Sequence, residues 1–253
     1  MVRLIPLRQL CRLCIAALVM LVCGSLGHAR SPATQPAPVR WQAVLVAGDD
    51  AQPVFDNAVL TMAHVLSGHD AAPADIHRLS ANPRAEPPGA EPASDRLVLQ
   101  WIASLHPGPG EGCLVFVTSH GQEGEGVWLA ASGEFLRPAA LAEALSVGCA
   151  TAPTVVVISS CYSGAFATGR MRAPNRIILT AARPDRPSFG CQADRTYTVF
   201  DECLLGVMPR APTWQRVRDG TFACVRDREK RMDVMPSEPQ SFFGAAVRNL
   251  PVR

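Results

Sequence analysis

Thr154–Ser159 reads TVVVIS, a nearly continuous apolar run. A strand with one wet face alternates apolar and polar residues; a run without alternation must be covered on both faces. Trp41–Ala47 (WQAVLVA), Leu114–Thr118 (LVFVT) and Arg176–Ala182 (RIILTAA) repeat the pattern, and Asp75–Leu79 (DIHRL) is a shorter strand. Helical patterns lie between and after them. Asp56–Leu66 carries Val59, Leu60, Ala63, Val65 and Leu66 mostly on one stripe; Ser94 caps a helix through Ile102; Pro138–Leu145 starts with proline; Thr198–Leu205 and Pro212–Met232 follow. Strands alternating with helices predict an α/β fold whose mostly parallel sheet is covered on both faces. Val127–Leu129 and Pro239–Gly244 are expected as further short strands, and the four prolines of Asn82–Ser94 make that stretch a loop, solvated or acting as a lid.

The chain has 253 residues, 48% apolar and 18% charged, enough for a large core and incompatible with a disordered or fibrous protein. Aromatic residues are only 6%, so aliphatic side chains and alanine must fill most of that core. The first 29 residues hold Arg3, Arg8 and Arg12, no acid, and the uncharged apolar run Leu13–Leu26. Fourteen residues fall short of a comfortable membrane span of about 20. With Gly27-His28-Ala29 behind it, the run has the plan of a secretory signal peptide, the alternative being an uncleaved anchor. Residues 30–40 then form a proline-rich tether, and residues 41–253 a single domain. Without the leader, 21 bases face 22 acids, a balance that gives nucleic acid no electrostatic handle. Export places the body outside the cytoplasm, periplasmic or held at the outer side of the cytoplasmic membrane, where disulfides form. Cys113, Cys149, Cys161, Cys191, Cys203 and Cys224 remain after the leader is removed. If one stays a free thiol, the other five cannot all pair. Cys113 and Cys149 each precede a predicted strand and would meet at one sheet edge.

Sites in open parallel sheets form beyond the carboxyl ends of the strands. Two of the predicted central strands end in reactive residues, His120 in Thr-Ser-His-Gly and Cys161 in Ser-Ser-Cys-Tyr-Ser-Gly. Neighbouring strands lie about 4.8 Å apart, so the two side chains would face each other across a cleft. A thiolate attacks an acyl carbon, an imidazole moves the proton, and backbone N–H groups take the developing oxyanion. Gly121 lets the chain approach a substrate closely, the Cys161 amide supplies an N–H, and Gly164 permits the turn that exposes the thiol. Ser163 does not form a serine nucleophile elbow, because position 161 is cysteine where that motif requires glycine. His64, His69, His77 and His106 have no metal-ligand spacing, and no metal or organic cofactor is implied. Arg226–Arg231 is a mixed-charge run suited to a solvated helix face.

Val115–Gly121 (VFVTSHG) and Val155–Gly164 (VVVISSCYSG) resemble the two signatures of the legumain-like cysteine peptidases, family C13, most closely its bacterial members. The similarity runs from about Trp41 to Gly244 and includes Ile177–Cys191. It implies a three-layer α/β/α caspase-like fold and a peptide or protein substrate. By the same resemblance His120 is general base and acid, Cys161 the nucleophile, and Gly121 and Cys161 the oxyanion donors. The family's asparagine pocket uses an arginine, a glutamate, a serine and an aspartate. Ser159 stands at the glutamate position, Ser188 matches the serine, Asp201 roughly matches the aspartate, and Phe55 or Asp56 falls where the arginine belongs. Were Asp56 and Asp201 both to reach the pocket uncompensated, a basic substrate side chain would suit it better than asparagine. Asn57 lies near the family's histidine-orienting asparagine, or caps the following helix. A transamidase using the same dyad, or a catalytically silent binding module, are the rival readings.

Overall fold

The computed structural model describes residues 39–68, 75–85, 87–192 and 194–252. The expected leader, most of the tether and His69 lie outside them. The chain divides into Met1–Gln35 and a body, Pro36–Arg253, to which all the described residues belong.

Strands and helices of the body alternate in the expected order. Strand β1 (Arg40–Ala47) leads to α1 (Val54–Ser67), then β2 (Ile76–Ser80), the two-residue β3 (Glu91–Pro92) and α2 (Asp95–Ser104). After β4 (Glu111–Thr118) comes a small antiparallel unit of β5 (Gly121–Gln122), β6 (Gly126–Leu129) and β7 (Glu134–Leu136). Helix α3 (Pro138–Gly148), β8 (Thr154–Ser159), β9 (Arg176–Thr180), α4 (Val199–Val207), α5 (Trp214–Met232) and β10 (Gln240–Phe243) complete it. Among the described residues the main sheet has seven strands in the order β10-β9-β8-β4-β1-β2-β3, all parallel except β10 against β9.

The period of two along each strand divides the core into two layers. Trp41, Ala43 and Leu45 of β1, Leu114 and Phe116 of β4, and Val155 and Val157 of β8 face one side, packed with α1, α4 and α5. Val44, Val46, Val115, Val117, Val156 and Ile158 face the other, packed with α2 and α3. This is the three-layer α/β/α architecture. Trp41 packs edge-on against Trp214 of α5, and its indole N–H donates to the Val252 carbonyl at 2.9 Å. Ser94 caps α2, its hydroxyl accepting from the Leu97 amide at 3.3 Å. Among the described residues no helix is long and apolar enough to cross a membrane.

Two disulfides staple the body, Cys113–Cys149 and Cys203–Cys224. The first pairs the expected cysteines by a different geometry. Cys113 lies inside β4, opposite Thr154 of β8, and Cys149 is the C-cap of α3, so the bond ties a helix end to a strand. The second joins α4 to α5. With sequence separations of 36 and 21, each is expected to stabilise the fold by roughly 3–4 kcal/mol through loop-closure entropy. Urea unfolding of Cys113→Ala/Cys149→Ala and of Cys203→Ala/Cys224→Ala should show midpoints lowered accordingly. Unchanged midpoints would mean that the bonds add nothing to stability.

Candidate active site

Strands β4 and β8 are parallel neighbours, and Thr118 of one pairs with Ser159 of the other. His120 and Cys161 each stand two residues beyond that pair, and the Ser119 amide donates to the Ser159 carbonyl at 3.1 Å, which carries the register outward. The two residues therefore leave the sheet side by side at its carboxyl edge, where strand spacing is about 4.8 Å. Both are half-buried. The His120 ring packs edge-on against Phe55 at the start of α1, with centroids 5.3 Å apart. Its backbone is fixed by the antiparallel unit, since the Trp128 amide donates to the His120 carbonyl at 3.0 Å.

Gly121 follows directly. A Cβ there would collide with the Cys161 carbonyl oxygen and come within 2.9 Å of Ser160 Oγ. The close approach that requires glycine is thus to the second strand's own backbone. Gly164 plays a similar part: a Cβ would meet the Pro184 ring at 2.6 Å. The sharp turn expected there is made two residues earlier, by Tyr162 at φ 58°, a left-handed conformation that is costly for a non-glycine residue. The turn is held from both sides. The Tyr162 amide donates to the Arg186 carbonyl at 2.8 Å, and Ser163 Oγ donates to the Ser160 carbonyl at 2.7 Å while accepting from the Ala182 amide at 3.1 Å. Ser163 is therefore a brace for the nucleophile loop. No described residue bonds the Cys161 amide.

The Cys161 sulfur faces the loop between β9 and α4. The Ser188 amide donates to it at 3.3 Å, and the Ser188 carbonyl and hydroxyl lie at 3.5 and 3.8 Å. Ser188, placed in the substrate pocket on resemblance, thus touches the sulfur directly.

The model of the peptidase C13 family matches residues 101–236, more than half the chain and inclusive of both strand ends. The chain belongs to the peptidase C13 family. That membership gives it a cysteine peptidase-type function. Caspase-1 from Spodoptera frugiperda, a crystal structure, shares the fold with a TM-score of 0.58 over 83% of this chain and 88% of that one, at 14% identity. No curated protein sequence matches the chain.

The pocket residues named from the C13 resemblance divide into two groups. Ser159 ends β8, buried, with its hydroxyl 3.4 Å from that of Thr198, the N-cap of α4. Asp201, in the first turn of α4, is fully buried beneath the same strand ends. Thr118 Oγ1 donates to its Oδ2 at 2.7 Å and its own amide donates to Thr198 Oγ1 at 3.1 Å, whereas Oδ1 has no partner among the described residues. Burial pushes the Asp201 carboxyl up to about 6, although the hydroxyls of Thr118, Ser159 and Thr198 pull the other way. Asp201 therefore belongs with β4 and β8.

Asp56 does not join this group. Its carboxylate accepts from Ser80 Oγ at 2.7 Å at the end of β2, two strands beyond β4, and it lines a shallow depression with Asp50, Asn82 and Arg84. Burial raises its pKa above the ordinary carboxylate value. Asn57 donates from Nδ2 to the Thr196 carbonyl at 3.1 Å, tying α1 to the approach of α4. The two acids thus occupy separate surroundings.

Three residues named from the sequence have surroundings that it did not reveal. Phe55 fixes the His120 ring, and only the fold reveals that α1 starts above β4. Ser163 carried a signal, because a serine hydroxyl commonly bonds the backbone carbonyl three or four residues earlier. Cys191 is the third; with Cys161 it is free among the described residues.

Proposed function

We propose that this chain is an exported cysteine endopeptidase that hydrolyses peptide bonds in protein substrates with a Cys161–His120 dyad. The observation that supports the reading is the register of β4 and β8, in which His120 and Cys161 each stand two residues beyond the Thr118–Ser159 pair at the carboxyl ends of adjacent strands. Cys161 passes its thiol proton to His120, its Sγ attacks the scissile carbonyl carbon, and the carbonyl oxygen is taken by the N–H groups of Cys161 and Gly121. His120 gives a proton to the leaving amine as the tetrahedral species collapses to a thioester. It then draws a proton from water, which attacks the thioester and releases Cys161. Both disulfides suit an oxidising compartment, which supports export. The Arg-rich, apolar leader supports it independently, and would serve as a membrane tether if uncleaved.

The test is hydrolysis of a peptide library by the mature chain under mild reduction, with and without iodoacetamide. Hydrolysis is expected, and alkylation should abolish it while labelling Cys161. Cys161→Ala should be inert. Hydrolysis that survives in Cys161→Ala would overturn the assignment, and products joined to an added amine instead of water would favour a transamidase.

A further inference from the structure

The described residues hold six cysteines, four of them in disulfides. The two free ones belong to one neighbourhood. Cys161 Sγ is touched by three atoms of Ser188, and Cys191 follows three residues later on the same irregular loop between β9 and α4. Cys191 is half-buried against the core layer that holds Phe189 and Tyr197. Burial raises its thiol pKa, and a negative charge on Cys161 would raise it further. Three residues of extended chain span about 10 Å at most, which keeps Cys191 within that reach of Ser188, and a disulfide needs the Cα atoms of Cys161 and Cys191 within about 7 Å. A loop without regular secondary structure can make that adjustment where a strand could not.

We propose that Cys161 and Cys191 form a reversible disulfide that switches the enzyme off under oxidising conditions. The proposal takes Cys161 as the nucleophile of the peptidase described above. The oxidant is a low-molecular-weight disulfide. The Cys161 thiolate attacks one of its sulfurs, its S–S bond breaks, and one thiol leaves with the electron pair and a proton. Cys191, losing its proton to solvent, then attacks the Cys161 sulfur of the mixed disulfide and expels the second thiol. Two protein thiols are oxidised, and one disulfide oxidant is reduced to two thiols. The bond removes the nucleophile from the cleft, and reduction restores it. Within an oxidising compartment, a second thiol beside the first also keeps the nucleophile from stopping at a slower-recovering adduct or climbing to irreversible oxidation states.

The experiment treats the full chain and its Cys191→Ser variant with oxidised glutathione. Remaining thiols are then blocked with N-ethylmaleimide, and unreduced digests are read by mass spectrometry. The expected wild-type product is a Cys161 peptide linked to a Cys191 peptide with the loss of two hydrogens, whereas Cys191→Ser should carry glutathione on Cys161 at about tenfold higher occupancy. Peptide hydrolysis should fall as the link forms and return with reductant too mild to open the other two disulfides. Equal glutathione occupancy on Cys161 in both proteins would overturn the proposal. Because the link is read by mass, its formation in a chain that hydrolyses no peptide even after mild reduction has opened it would refute the peptidase reading while leaving the disulfide established.

Discussion

Gly121→Ala is expected to lower kcat/KM by about 100-fold or more while leaving the chain folded. The added methyl would meet the backbone carbonyl of Cys161 and the Ser160 side chain, and only the second of these can rotate away. The extensions of β4 and β8 must then part by about an ångström, the scale of displacement that costs a well-oriented site two orders of magnitude. Overpacking of this kind also destabilises by roughly 1–3 kcal/mol, so thermal unfolding must be measured beside hydrolysis. Gly206→Ala is the matched control. Gly206 lies in α4 with no heavy atom near the position of an added Cβ, and alanine there should stabilise the helix by about 1 kcal/mol with activity unchanged. Normal turnover in Gly121→Ala would mean that the spacing of the two strand ends does not limit the chemistry.

The residues that proved easiest to read were those whose environment is uniform. TVVVIS and LVFVT lie between two helical layers, and the absence of alternation in them is a direct consequence of burial on both faces. The reactive residues followed from the same logic, since the ends of such strands are where an α/β sheet places its chemistry. Features fixed by tertiary pairing were less legible. Glu134–Leu136 carries no strand pattern; it is extended because it pairs with β6, whose hairpin in turn holds the His120 backbone. Cys203–Cys224 joins two helices, and nothing in the spacing shows that α4 and α5 lie side by side. The substrate pocket was the hardest part. The resemblance offers Asp56 and Asp201 to one pocket on the condition that both reach it, and the structure holds one by Ser80 on β2 and the other by Thr118 on β4. Local sequence around Asp56 cannot specify which strand end the first turn of α1 will meet.

Asp201→Asn is expected to stabilise the protein at neutral pH and to remove a pH dependence that the wild type shows. In the folded chain the carboxyl is wholly buried, and burial pushes its pKa up to about 6 from an ordinary 3.8. Folding therefore takes up a proton between these values. The group's contribution to stability is fully present below about pH 4 and is lost as pH rises through about 6, by roughly 3 kcal/mol in total. The asparagine carbonyl can still accept from Thr118, and its amide places a donor among the Ser159 and Thr198 hydroxyls where Oδ1 now stands unpaired. Urea unfolding at pH 4, 6 and 8, with both disulfides intact, should show the variant gaining on the wild type across this range. Parallel curves would place the Asp201 titration at an ordinary carboxylate value. The site gives the cost a physical meaning. Thr118 and Ser159, the last register pair of β4 and β8, turn their hydroxyls toward this carboxylate, so the strand ends bearing His120 and Cys161 are tied to α4 through a charge that the fold alone would be better without. A variant that is more stable but slower at hydrolysis would show that Asp201 is kept for the geometry of the strand ends.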